Sequence, residues 1–148
     1  MNNPSELRCS AHPEVLVNWT RGMQFNAGVP GGPTVRIDGD RQDGPGPFDV
    51  LLAAIATCAS TDVLSILSKQ RTPAQSLSVR VQSDRVNGTP RPLARAVLHF
   101  AVRGPGIAPD KAERAVDLAI TKYCSVRASL LADAAATWTV KVETLADG

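Results

Sequence analysis

The stretch from Pro45 to Leu67 constrains this chain more than any other. It is the longest apolar run in the sequence and holds a cysteine, Cys58, near its middle. Pro45, Gly46 and Pro47 stop whatever precedes it, and Pro47 suits a first helical turn. Asp49 suits the positive end of a starting helix. From Val50 to Leu67 there is no Gly or Pro, and the helix former Ala is frequent. Leu51, Ile55, Cys58 and Asp62 share one stripe at helical spacing; Leu52, Ala56, Ala59, Val63 and Leu67 share the next. A helix apolar over most of its circumference is expected to be buried. Thr57, Ser60, Thr61, Asp62 and Ser65 interrupt it too often for a transmembrane span. A central helix wrapped by the rest of the chain follows, ending near Gln70 ahead of Pro73.

The 148 residues suffice for one domain with a single core, and no linker marks a second. Charged residues make up 20% and apolar ones 43%, which excludes a disordered chain and fits a soluble one. The net charge of +2 comes without a basic cluster, so neither nucleic acid nor membrane is an expected partner. Met1 to Ser10 is polar and lacks the apolar centre of a signal peptide, and residues 1–12 read as a flexible leader. The cytoplasm, where thiols stay reduced, is the expected compartment. Cys9, Cys58 and Cys124 are too few and too scattered for a disulfide scaffold. With no CxxC pair and only His12 and His99 to add ligands, no metal and no other cofactor is expected.

Around the helix the pattern is mostly strand. Val15, Val17 and Trp19 alternate with Leu16, Asn18 and Thr20, and Arg21-Gly22 turns the chain into Met23–Phe25. Val35–Ile37 is a third short strand closed by Asp38-Gly39. Leu77, Val79 and Val81 alternate with polar residues, and Ala96, Leu98, Phe100 and Val102 do the same after the turn signals Asn87-Gly88 and Pro90–Pro92. His99 falls on the polar side with Arg95 and Arg103 and reads as a surface strand histidine. Pro109-Asp110 opens a second helix that ends near Lys122-Tyr123. Ser125–Ala135 reads as a third, and Trp138, Val140 and Val142 mark a last strand. Strands, long helix, two strands, two helices and a strand make an α+β fold.

Chemistry centres on two thiols. Either cysteine could simply pack, since free Cys is among the most buried residues. Cys124 lies between a helix end and a helix start, where backbone N–H groups can lower a thiol pKa. Cys58 sits about nine residues into its helix, beyond the positive end, and Asp62 one turn on would raise its pKa. A reactive Cys58 therefore needs a cation brought from elsewhere; Arg21 and Arg127 are the candidates.

Gly44-Pro45-Gly46-Pro47-Phe48-Asp49 through Thr57-Cys58, followed by Asp62-Val63, resembles the OsmC/Ohr family: a G-P-x-P turn, an acid, a small and apolar helix and a Cys. Lys122-Tyr123-Cys124-Ser125-Val126 resembles its second hallmark, 66 residues on (124 − 58). The likeness runs from about Val15 to Glu143 and is strongest to the OsmC-like branch rather than to the peroxide reductases. It implies an intertwined homodimer in which the central helix packs against antiparallel β-sheet. It also implies a thiol peroxidase acting on small apolar organic hydroperoxides. Cys58 would be oxidised to a sulfenic acid, Cys124 would resolve it as a disulfide, and a dithiol or lipoyl-type reductant would reopen the bond. The family's Arg maps to the region of Arg21. Its catalytic Glu follows the second proline directly; here Phe48 holds that position and the acid comes one later, at Asp49. A one-residue step turns a helical side chain by about 100°, so Asp49 can serve as a cap. The alternatives are a non-catalytic dimer that binds an apolar ligand or senses redox state, and two cysteines that only pack.

Overall fold

In a computed structural model, residues 14–130 and 132–143 are described; the leader and Cys9 lie outside them. The chain divides into two compact units, residues 1–50 and 51–148.

The first unit is a three-stranded antiparallel sheet of β1 (Leu16–Arg21), β2 (Gln24–Gly28) and β3 (Thr34–Asp38), in that order. Gly22, at φ +51°, supplies the left-handed residue of the two-residue β1–β2 turn. Val17 pairs with Ala27 and Trp19 with Phe25. Phe25 in turn pairs with Ile37, and Ala27 with Val35. Directly paired residues share a face, so one side of this sheet is entirely apolar. Beyond β3, the buried Asp38 organises the loop. Its carboxylate accepts the backbone N–H groups of Asp40 (2.9 Å), Gln42 (3.2 Å) and Asp43 (2.9 Å).

Helix α1 (Pro47–Lys69) starts at the end of this unit and continues into the second. Its start carries half of a capping box: Asp49 accepts the Gly46 N–H at 2.8 Å. Its end is a Schellman motif, with Arg71 N–H bonded to Ser68 O and Thr72 N–H to Leu67 O, both at 3.0 Å. Arg71 takes the left-handed position at φ +62°, where Gly is usual. Ile55, Ala56, Ala59, Val63 and Leu67 are buried. Ala53, Thr57, Thr61 and Leu64 are exposed, so the single chain covers one stripe of the helix rather than most of its girth. By length and composition alone α1 could cross a membrane, a test that core helices also pass.

The second unit holds β4 (Ser76–Arg85), β5 (Leu93–Arg103) and β6 (Ala135–Glu143), with β5 in the middle. β4 and β5 are antiparallel as expected; β6 runs parallel to β5, unlike the antiparallel sheet expected from sequence. Ala96, Leu98, Phe100 and Val102 of β5 are buried. His99 sits on the opposite face and ties three strands together. Its Nε2 donates to Gln82 Oε1, and its Nδ1 pairs with Thr139 Oγ1, each at 2.8 Å. Between β5 and β6 come α2 (Pro109–Leu118), a π-helical turn (Ala119–Tyr123) and α3 (Ser125–Ala128). The second helix thus changes hydrogen-bond pattern before its expected end, and the third is far shorter than the Ser125–Ala135 expected. The alanine-rich tail, which by propensity alone reads as helix, is taken by β6 from Ala135 because its pairing to β5 begins there.

Hydrogen bonds to the charged form hold the Asp38 carboxyl below its ordinary 3.8. Its contribution to stability is therefore full above pH 3.8 and lost as pH falls below that. Asp38→Ala is expected to melt several degrees lower than the parent at neutral pH, and thermal melts between pH 7 and pH 3 should show the gap closing only below about pH 4.

Candidate functional site

The second unit brings its two cysteines together. Cys58 lies on α1 and is half-buried; Cys124 is buried, and both thiols are free. The crossover between β5 and β6 delivers Cys124. The π-helical turn ends with the Cys124 N–H bonded to Ala119 O, five residues back, at 2.8 Å. At Cys124 the backbone becomes extended (φ −70°, ψ 101°) and the residue caps α3. Its sulfur accepts the Arg127 N–H at 3.3 Å. On its other side the thiol points to the backbone carbonyl of Ile55 at 3.8 Å. Ile55 lies three residues before Cys58 on α1, so Cys124 is seated against the turn that carries its partner.

Burial separates the two sulfurs. Burial pushes the Cys124 thiol above its ordinary 9.0. The Arg127 amide opposes this, and hydrogen bonding and charge interaction with Cys58 push the same way as burial. Both influences act only between side chains that are near neighbours. Cys124 therefore rests as a neutral, enclosed thiol, and Cys58 is the sulfur that solvent reaches.

The other expected site residues lie in the first unit. Arg21 ends β1 with an exposed guanidinium. Its Nε donates to Gln24 Oε1 at 3.3 Å, and it stands 3.8 Å from Asp43. Asp49, besides capping α1, is held by both nitrogens of an arginine fork: Arg41 Nε at 2.8 Å and Arg41 Nη2 at 3.1 Å. Arg41, at φ +55°, was not among the expected residues. Nothing in Asp38-Gly39-Asp40-Arg41 marks a non-glycine left-handed residue beyond the turn composition itself. Phe48, the second residue of α1, is half-buried. Arg127 meets Cys124 through its backbone amide, a contact separate from the guanidinium role toward Cys58 expected from the sequence. Among the described residues, no group of three or more His, Cys, Asp or Glu is placed to hold a metal ion.

A sequence profile described as OsmC-like protein matches residues 38–141, most of the chain and both cysteines. The chain belongs to the OsmC-like family. It is 35% identical over 114 residues to protein YhfA of Escherichia coli strain K12, covering 76% of this chain and 85% of that one. Among solved structures, an OsmC-like protein from Mycoplasma pneumoniae superposes with a TM-score of 0.76 at 15% identity, covering 90% of this chain and 99% of that one. An organic hydroperoxide resistance protein OsmC from Legionella pneumophila does so with a TM-score of 0.66 at 14% identity, covering 91% and 100%. At such identities these two share the fold.

The raised Cys124 thiol favours the folded state below pH 9.0, and that advantage is lost as pH rises through its folded value, because the unfolded chain ionises first. Urea melts from pH 7 to pH 10.5 should show this alkaline loss in the parent and a flatter profile in Cys124→Ala. Timed alkylation with iodoacetamide at pH 8, read by peptide mass, should modify Cys58 at least tenfold faster than Cys124.

Proposed function

We propose that this OsmC-like protein is a thiol peroxidase that reduces organic hydroperoxides through a Cys58/Cys124 cycle. The observation that carries the reading is the pairing of a solvent-reached thiol, Cys58, with an enclosed neighbouring thiol, Cys124. The Cys58 thiolate attacks the terminal peroxide oxygen. The O–O bond breaks, an alcohol leaves, and Cys58 becomes a sulfenic acid. Cys124 then attacks that sulfur, expelling water and closing a disulfide. A dithiol reductant takes the two oxidising equivalents and restores both thiols. The half-buried Leu51 and Leu52, about two turns before Cys58, favour an apolar hydroperoxide over hydrogen peroxide. The solved structure from Legionella, named for organic hydroperoxide resistance, supports the same substrate class. The reading takes the cytoplasm as compartment, where both thiols are kept reduced.

A second reading, a redox-sensing or ligand-binding dimer without turnover, draws on Phe48 and Asp49. The acid next to Phe48 is engaged by Gly46 and Arg41, which makes it a helix cap rather than a free catalytic carboxylate. Exposure to one equivalent of cumene hydroperoxide under non-reducing conditions decides between them. The peroxidase should lose two thiols and two daltons within seconds, and neither Cys58→Ser nor Cys124→Ser should show the two-dalton loss. Thiols that survive excess peroxide for many minutes would sink the peroxidase reading.

The same reading makes the protein a homodimer. Supporting it are the uncovered apolar side of the first sheet, where Val17, Trp19 and Val35 are 58%, 65% and 62% exposed, and Leu64 on the open side of α1 at 43%. Monomers rarely leave an apolar sheet face of this kind in water. Light scattering should give twice the chain mass, and Val17→Glu with Val35→Glu should shift it toward one chain.

A further inference from the structure

A disulfide between Cys58 and Cys124 offers a reductant two sulfurs, and the surroundings of the two differ. Thiol–disulfide exchange needs the incoming thiolate to reach one sulfur while the other departs as a thiolate. Cys124 is 3% exposed. It is enclosed by the Ile55 carbonyl on one side and by its own α3 cap on the other. Cys58 is half-buried on α1. Access therefore selects Cys58 for attack. Leaving-group chemistry weighs against this choice, because burial disfavours a Cys124 thiolate. The Arg127 amide offsets part of that cost, since an N–H donated to sulfur strengthens as the sulfur gains charge. An unreachable sulfur cannot be attacked at all, whereas a poorer leaving group is only slower, so access decides.

We infer that the reductant opens the disulfide at Cys58 and that Cys124 departs into the seat made by the Arg127 amide. A reductant thiolate bonds to Cys58 Sγ, the Cys58–Cys124 bond breaks, and its electron pair goes to Cys124 Sγ, which then takes a proton from solvent. The reductant is now joined to Cys58. Cys124, still alongside, can attack Cys58 again, expel the reductant and reform the protein disulfide. A dithiol escapes this reversal, because its second thiolate attacks its own linked sulfur, frees Cys58 and leaves as a cyclic disulfide. This inference rests on the Cys58/Cys124 cycle only in requiring that the disulfide forms.

The test is made on the full chain carrying Cys9→Ser, oxidised with diamide so that no peroxide chemistry is involved. The disulfide is challenged with reduced glutathione, quenched in acid, alkylated and mapped by peptide mass. The expected result is glutathione on the Cys58 peptide and an alkylated Cys124, in at least tenfold excess over the reverse. Glutathione found mainly on Cys124 would overturn the inference and leave the peroxidase reading standing. Failure of diamide to form the disulfide would overturn both. Arg127→Pro removes the N–H donor while keeping both thiols. Its disulfide should open up to about tenfold more slowly, and opening at the parent rate would remove the amide from the account. The glutathione map of the parent does not depend on that variant folding.

Discussion

The parallel pairing of β5 with β6 is the constraint on which the second unit depends. An antiparallel pair can be joined by two residues; a parallel pair needs a crossover that returns the chain to the starting end of the sheet. Here the crossover runs from Gly104 to Ala134 and contains α2, the π-helical turn and α3. The register from Arg95↔Ala135 to Arg103↔Glu143 fixes both its ends. Cys124 lies inside this crossover, so its position follows from the strand pairing. Gly104 shows how tightly the crossover leaves β5: a Cβ there would stand 2.6 Å from the Pro73 carbonyl and 2.8 Å from Ile107.

The seat of Cys124 shows how a modest set of contacts divides labour between two chemically identical groups. One amide at 3.3 Å and one carbonyl at 3.8 Å are weak interactions taken singly. Their effect comes from enclosure, which keeps the buried sulfur neutral while its neighbour on α1 meets solvent. Asp49 is a parallel case at the start of α1. It bonds the Gly46 N–H and pairs with the Arg41 fork, so this carboxylate is occupied in holding the helix start. Such an exposed ion pair adds little stability by itself, but it fixes the direction in which α1 begins.

Much of this was legible in the sequence because it rests on periodicity and punctuation. The alternation of Leu77–Val81 and Ala96–Val102 gave β4 and β5, and the Pro-Gly-Pro stop gave the start of α1. Two kinds of feature were not legible. One is pairing direction: the alternation of Trp138, Val140 and Val142 is the same in parallel and antiparallel strands, so it carried no sign of the crossover. The other is local backbone detail. Ser125–Ala135 has helical propensity, yet long-range pairing claims its end for β6. Arg41 and Arg71 adopt left-handed conformations that their side chains do not announce. At the site, the two cysteines were marked by their contexts. The part played by the Arg127 main chain left no trace in the sequence, because a backbone amide is common to every residue but proline.

The π-helical turn has a consequence for how this protein can change over generations. A π turn is an α-helix holding one residue more than its hydrogen bonds need. Deleting any one residue from Ala119–Tyr123 would let the helix run on regularly, but it would turn everything after it by about 100° relative to α2. The sulfur of Cys124 would then leave the Ile55 carbonyl. Substitutions in this segment change only side chains, three of which, Thr121, Lys122 and Tyr123, face solvent. Its length is therefore under stricter selection than its composition, and insertions or deletions here should be far rarer among functional descendants than replacements.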